Sequence, residues 1–149
     1  MDDAVTIRQA LEDDAGAIAE LTRAAYAKWV PVIGREPRPM QADYAEAVRR
    51  HRFDLLHVGD RLAALIETVP EDGWLLIVNV AVHPDFQKRG FGRRLLARAE
   101  DLAASGLRGV RLYTNKRFAE NIRLYESLGY RREKETPIDG GTLVHMIKP

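Results

Sequence analysis

Glycines and basic side chains alternate in the segment Gln87-Lys88-Arg89-Gly90-Phe91-Gly92-Arg93-Arg94. An apolar run precedes it at residues 75–82, and Phe91, Leu95, Ala99 and Leu102 then recur at helical spacing. This pattern predicts a buried strand, a turn and a helix. The first turn of a helix has free backbone N–H groups, its dipole favours an anion, and glycines allow a ligand to approach closely. The segment therefore predicts a phosphate or pyrophosphate site.

Two common phosphate-binding patterns do not fit this segment. Residues 90–95 match G-x-G-x-x-G at the first two glycines alone, and no acidic residue lies near position 110, where a ribose-binding group is expected. The pattern G-x-x-x-x-G-K-[ST] is absent. A nucleotide-phosphate binder is therefore disfavoured, while a glycine turn beside a solvated basic helix face stays open as the purely structural alternative.

Two segments, one around the glycine turn and one further downstream, resemble motifs of the same known family. Residues 82–92 resemble the acetyl-CoA signature Q/R-x-x-G-x-G/A of the GNAT (GCN5-related) N-acetyltransferase superfamily, which follows a strand ending in V-x-P. Residues 115–130, and above all Asn121-Ile122-Arg123-Leu124-Tyr125-Glu126-Ser127-Leu128-Gly129-Tyr130, look like the family's N-x-x-[AR]-x-x-[LF]-Y-x-x-x-G-[FY] segment. The first half of the chain resembles the family in its layout only.

This resemblance implies a cofactor, acetyl-CoA, and a role for each matching position. The pyrophosphate would lie on the backbone of residues 87–93, and the cofactor arm on the exposed edge of a strand. The backbone N–H of Val82 would stabilise the oxyanion, and Tyr125 would protonate the leaving thiolate. The implied cofactor-binding residues are Val80, Ala81, Val82, Gln87, Lys88, Arg89, Gly90, Phe91, Gly92, Arg93, Asn115, Asn121 and Tyr125.

Each of these positions also has an ordinary structural explanation. Tyr125 lies at helical spacing with Ile122 and Leu128 and could be a core tyrosine. Asn121 could cap its helix, and Val80 and Val82 suit a core.

The general base is not evident from the sequence. Many members of the family carry a carboxylate on the strand before the glycine turn, but residues 75–82 contain none. Glu67 on the preceding strand is one candidate, with Tyr26 and Tyr44 as others, and no base is needed if the amine arrives neutral.

Residues 29–40 are rich in proline and form either a loop packed on the core or a loop facing the substrate. Tyr26, just before this segment, and Trp29 and Arg35 within it are the expected acceptor contacts.

The whole chain predicts one domain over residues 1–149. Turn signals and periodicity give the order β-α-α-β-β-β-α-β-α-β-β, which is also that of the GNAT fold. We expect an α/β (α+β) fold with a mixed sheet of about seven strands flanked by about four helices.

Composition excludes several other classes of site. The net charge of +1 argues against a dedicated nucleic-acid binder, and the absence of cysteine excludes disulfides and thiolate chemistry. The four histidines show no metal-ligand spacing, so no metal is expected. The start, Met1-Asp2-Asp3-Ala4-Val5, lacks an apolar signal region, and no run approaches the roughly 18 residues of a membrane span. A cytoplasmic location without membrane association is expected, and a homodimer is compatible with the sequence.

These observations predict an N-acetyltransferase that moves acetyl from acetyl-CoA to a primary amine of a small molecule or peptide. Direct transfer in a ternary complex is expected, because the chain has no cysteine and no serine in a G-x-S-x-G turn. The alternative is a non-catalytic acyl-CoA-binding or regulatory domain of the same fold. The sequence does not distinguish among acceptor amines or acyl-chain lengths.

Overall fold

A mixed sheet of seven strands organises the computed structural model, which describes residues 4–149. Across the sheet the strands follow the order β1-β2-β3-β4-β5-β7-β6; β4 and β5 are parallel, and every other neighbouring pair is antiparallel. The predicted mixed sheet is confirmed. Met1, Asp2 and Asp3, which entered the expectation about a signal region, lie outside the described residues. The strands are β1 (Val5–Gln9), β2 (Arg52–Val58), β3 (Arg61–Glu71), β4 (Trp74–Val82), β5 (Val110–Asn115), β6 (Arg131–Ile138) and β7 (Gly141–Lys148).

Within residues 4–149, six α-helices accompany the sheet, and four of them contribute buried side chains to the core on its two faces. Helix α5 lies on one face, where Leu95 and Ala99 are fully buried against Leu56 and Ile66. On the other face, α1 and α4 cover residues such as Leu55 and Leu65. No helix within residues 4–149 has both the length and the apolar character that crossing a membrane requires. The helices are α1 (Ala15–Tyr26), α2 (Val30–Ile33), α3 (Arg38–Gln41), α4 (Tyr44–Arg50), α5 (Phe91–Ala103) and α6 (Ala119–Ser127).

The proline-rich segment 29–40 differs from the prediction. It was expected to contain no regular helix, yet it contains the one-turn helices α2 and α3. Pro31 and Pro39 each lie at the start of one of them, where the missing N–H would have no intrahelical partner in any case. Gly34 ends α2 in the left-handed region, with φ of 75°. The expected number of about four helices therefore omits these two short turns.

A tight turn sets the register of β3 against β4. Glu71 pairs with Trp74 across Asp72 and Gly73, whose φ angles of 53° and 85° are both positive. Positive φ at both central residues is the geometry of a type I′ hairpin turn, for which Asp-Gly is a preferred sequence. The turn thereby fixes which β3 residues lie beside the first half of β4.

The buried carboxylate of Asp54 ties helix α5 to the sheet. Asp54 on β2 is fully buried, and its two oxygens accept hydrogen bonds from Arg52 on the same strand and from Arg98 on α5, the latter at 2.9 Å from Nε. Both guanidinium groups are about one-third exposed, so they stay partly hydrated while neutralising the carboxylate. This contact holds the helix whose first turn contains the predicted phosphate site.

We predict that Asp54→Asn lowers the free energy of unfolding by about 1–3 kcal/mol, because its amide nitrogen would face a guanidinium donor inside the fold. Urea unfolding of the wild type and the variant measures the difference. Asp101→Asn is the matched control on an exposed part of α5, and its effect should stay below about 0.5 kcal/mol. Equal effects of the two substitutions would contradict the assigned role of Asp54.

Candidate active site

The parallel strands β4 and β5 separate partway along their length. They pair only through Leu75, Leu76 and Ile77 with Val110, Arg111 and Leu112, although β4 continues to Val82 and β5 to Asn115. A cavity of about 430 Å³ opens between the diverging segments, with residues 78–80 on one side and residues 113–115 on the other. This volume is in the range of pockets that hold small molecules.

A β-bulge on β4 coincides with this separation. Glu67 pairs with Asn79 while Thr68 pairs with Ile77, so Val78 has no partner on β3 and is 41% exposed. The side chains that pack towards α5 accordingly switch from odd to even positions, from Leu75 and Ile77 to Val80 and Val82. A bulge bends a strand and increases its twist, which turns β4 away from β5.

A second cavity, of about 280 Å³, lies beside the same strand at the start of α5. Its wall consists of Val80, Ala81 and Val82 from β4, the glycine segment, and the facing ends of α1 and α6. Gln87, Lys88 and Gly92, all predicted to bind the cofactor, line it, together with Leu96 one turn further along α5.

The turn before α5 exposes its backbone donors. Lys88 and Gly90 have φ angles of 65° and 81°, and Gly90 is the residue that caps the helix. Within residues 4–149, no hydrogen bond of the fold is donated by the backbone N–H groups of residues 88–93, and the first intrahelical bond runs from Arg94 to Gly90. Successive free N–H groups beside exposed basic side chains can bind a phosphate.

Tyr125 lies where the two cavities meet. It lines both of them, as do Tyr26, Val80 and Asn121. Tyr125 is 6% exposed, and burial raises the pKa of its phenol to about 12. The hydroxyl is therefore protonated at neutral pH. Within residues 4–149 it takes part in no hydrogen bond of the fold, so it can donate a proton or a hydrogen bond to a bound group.

Two tyrosines hold the amide of Asn79 at the inner wall of the larger cavity. The Tyr26 hydroxyl donates to Asn79 Oδ1 at 2.8 Å, and Asn79 Nδ2 lies 3.4 Å from the Tyr44 hydroxyl, which itself donates to the Pro39 carbonyl. Burial raises the pKa of Tyr44 to about 12 and also raises the pKa of Tyr26, so both hydroxyls remain donors. Tyr26 and Tyr44 are thereby engaged in orienting Asn79, which makes them poor candidates for a base.

Glu67 is the carboxylate that faces the larger cavity. It is 4% exposed, lies beside Asn79 in the strand register, and is 2.6 Å from His51 Nδ1 through its Oε2. Burial raises the pKa of Glu67 above its ordinary value of 4.5, and the hydrogen bond from His51 opposes that shift. His51 is more exposed than Glu67 and also lines the cavity, so the pair connects a buried acid to the surface.

The contact with His51 was missing from the predicted site. His51 and Glu67 are 16 residues apart, and neither belongs to a recognisable motif. The pairing of Phe53 with Glu67 brings them together, because His51 precedes Phe53 by two residues and so shares its side of the strand. The turn at Gly59 and Asp60 does not reveal this contact, because a β-bulge shifts the register between the turn and the Phe53–Glu67 pair.

Two predicted site residues lie elsewhere than expected, and a third offers a ligand only its backbone. Trp29, predicted to contact the acceptor, is stacked on Phe118 with ring centroids 4.4 Å apart and lines the smaller cavity, not the larger one. Asn115, predicted to bind the cofactor, lines the larger cavity, and its side chain accepts a hydrogen bond from the N–H of Arg117. The ring of Phe91 is buried in the core, which leaves its backbone for a ligand. Arg35 and Tyr26 do line the larger cavity.

Two arginines predicted to bind the cofactor, Arg89 and Arg93, differ in their surroundings. The Arg89 guanidinium lies 5.3 Å from the Phe86 ring, and Arg93 is exposed on the first turn of α5.

Among residues 4–149, no group of three or more histidine or acidic side chains is arranged to hold a metal ion.

Comparisons of the sequence identify relatives. Residues 51–132 match the family model described as acetyltransferase (GNAT) domain. A segment of 76 residues is 40% identical to the [ribosomal protein bS18]-alanine N-acetyltransferase of Salmonella typhimurium, covering 50% of this chain and 51% of that protein. This match therefore spans about half the length of the curated relative.

Solved structures share the fold over nearly the whole chain. The PaiA N-acetyltransferase from Thermoplasma acidophilum, in complex with coenzyme A, superposes with a TM-score of 0.84 at 18% identity, over 98% of this chain and 99% of that one. The ribosomal-protein-S18-alanine N-acetyltransferase from Escherichia coli gives a TM-score of 0.73 at 24% identity, over 97% and 92%. The family model covers more than half of the 149 residues and the fold agrees, so this chain belongs to the GNAT acetyltransferase family.

Proposed function

We propose that the protein is an N-acetyltransferase that moves an acetyl group from acetyl-CoA directly to a primary amine. The observation that carries this proposal is the shared wall at Tyr125, Val80, Asn121 and Tyr26, where a groove suited to the cofactor meets a separate cavity suited to the acceptor. A domain that only bound acyl-CoA would need the groove but not the second cavity. The family relationship and the N-acetyltransferase named among its relatives agree with this assignment.

The smaller cavity is the proposed site of acetyl-CoA. Its pyrophosphate would accept hydrogen bonds from the free N–H groups of residues 88–93, with Lys88, Arg89 and Arg93 supplying positive charge. The pantetheine arm would lie along Val80, Ala81 and Val82, where β4 has lost its β5 partner. Asn121, in the wall of both cavities, is a further proposed contact for the arm.

The reaction forms one bond and breaks another. The neutral amine nitrogen attacks the thioester carbonyl carbon, an N–C bond forms, and the C–S bond breaks to release CoA. We assign the proton lost by the amine to Glu67 and the proton gained by the departing sulfur to Tyr125. The backbone N–H of Val82 is the proposed donor to the carbonyl oxygen as negative charge develops there.

The first prediction about the proposed site concerns the cofactor groove. Acetyl-CoA at about a hundred times its Kd should stabilise the wild type by about 2.7 kcal/mol. Gly92→Val should abolish this stabilisation but leave the unliganded protein folded, because an added Cβ would contact Val82 Cγ2 at an ordinary 3.7 Å while its methyl groups enter the groove. Thermal unfolding with and without ligand measures both effects.

Gly16→Val, at an exposed position on helix α1, is the matched control, and it should retain the ligand-induced shift. A shift of the wild type with NAD or ATP but none with acetyl-CoA would refute the proposed cofactor.

The second prediction concerns the general acid. Tyr125→Phe keeps the buried ring but removes the proton, so kcat should fall by at least about tenfold, since general acid catalysis contributes about 10²–10⁴ in rate. The affinity for acetyl-CoA should change little. With a phenol pKa of about 12, ionisation of Tyr125 should produce no loss of rate between neutral pH and about pH 10. Full turnover in the variant would reduce Tyr125 to a core residue.

The third prediction concerns the base. Glu67 accepts a proton only as a carboxylate, so kcat at saturating amine should fall as the pH drops through its pKa. Because burial raises that pKa, the decline should begin at higher pH than an exposed glutamate would give. Glu67→Gln should remove this acidic limb and lower kcat by about tenfold or more.

Glu133→Gln, at an exposed position on β6, is the control and should leave the pH profile unchanged. A Glu67→Gln variant with the wild-type profile would show that the amine needs no protein base.

A further inference from the structure

The charges lining the larger cavity are unevenly distributed. Its one carboxylate among the described lining residues is Glu67, which lies in the sheet beside His51. Its cationic side chains, Arg35 and Arg38, come from the connection around α3, and both residues are exposed. The cavity thus has an acidic group on a strand and a basic rim on the covering segment.

The two arginines have no acidic partner within residues 4–149. The nearest acid in the chain, Glu36, lies 3.5 Å from Arg23 instead. Two lysines of the surrounding elements are paired, Lys28 with Glu120 and Lys116 with Glu135, and Arg117 donates to the Val32 carbonyl. The positive charge of Arg35 and Arg38 is therefore available to a ligand.

Apolar side chains line much of the cavity between these charges. They include Ile33, Pro37, Ile77, Val78, Ile138 and Leu143. A ligand that spans the cavity would bury an apolar body there, while each of its ends met a charged group.

We propose, resting on the transferase function above, that the acceptor is a small monoamine whose apolar body carries an anionic group, such as a carboxylate, at the end remote from the amine. The amine would lie towards Glu67 and Tyr125, and the anion would bind Arg35 and Arg38. A planar guanidinium can bind a carboxylate through two parallel hydrogen bonds. Polyamines and other polycations are disfavoured, because a second ammonium group would meet the two arginines and no carboxylate.

The test compares three amines of equal length that differ only at the far end. These are ε-aminocaproate with a carboxylate, hexylamine with a methyl group, and hexamethylenediamine with a second amine, each assayed with shorter and longer homologues. At the best length, kcat/KM for the carboxylate should exceed that for the diamine by at least about tenfold, with the alkylamine between them, since one end group is attracted and the other repelled.

Charge reversal provides the decisive variant. Arg35→Glu combined with Arg38→Glu should invert the order, so that the diamine becomes the better substrate, while the affinity for acetyl-CoA stays unchanged. The matched control, Arg123→Glu with Arg131→Glu, makes the same change in net charge at two exposed positions that line neither cavity. It should keep the wild-type order, which separates local recognition from the overall field of the protein.

Two further outcomes separate this inference from the proposed function. Equal kcat/KM values for the three amines, or a strong preference for a peptide with N-terminal alanine included in the same panel, would overturn the anionic small acceptor and leave the transferase intact. If neither the amines nor the peptide causes release of CoA, that result would count against the proposed function itself.

Discussion

The pairing between β4 and β5 ends after three residue pairs, and the whole site depends on that interruption. A parallel pair continued to Val82 would bury the edge of β4 and fill the space that now forms the larger cavity. The extra residue Val78 bends β4 at the point where the strands part. One unpaired residue thus provides a free strand edge on one side and a cavity on the other.

Burial adjusts the chemistry of the groups around this opening. The phenols of Tyr125 and Tyr44 have pKa values raised to about 12, so both remain protonated donors. Burial also raises the pKa of Glu67, which makes its carboxylate a stronger base. A general acid and a general base work best when their environments push their pKa values in suitable directions. Here the proposed acid, Tyr125, lies on α6, and the proposed base, Glu67, lies on β3.

Short-range patterns in the sequence predicted much of the fold, including the elements that line the smaller cavity. The apolar run 75–82, the glycine turn and the period of α5 are local, so they predicted the strand, turn and helix that line the smaller cavity, and the spacing around Tyr125 predicted its helix. The bulge at Val78 could not be predicted, because it depends on which β3 residue faces each β4 residue. The His51–Glu67 contact depends on a second long-range register, that of β2 against β3. The helices α2 and α3 were missed because Pro31 and Pro39 were interpreted as helix breakers, although a proline also suits a first helical turn.

The central claim is that cofactor and acceptor occupy two connected cavities at the same time, so that the acetyl group passes directly between them. Initial velocities measured over a grid of acetyl-CoA and amine concentrations test this claim most directly. Double-reciprocal lines should intersect, as expected when both substrates must be bound before either product leaves. Parallel lines, the pattern of a ping-pong reaction through an acetylated protein, would contradict the account.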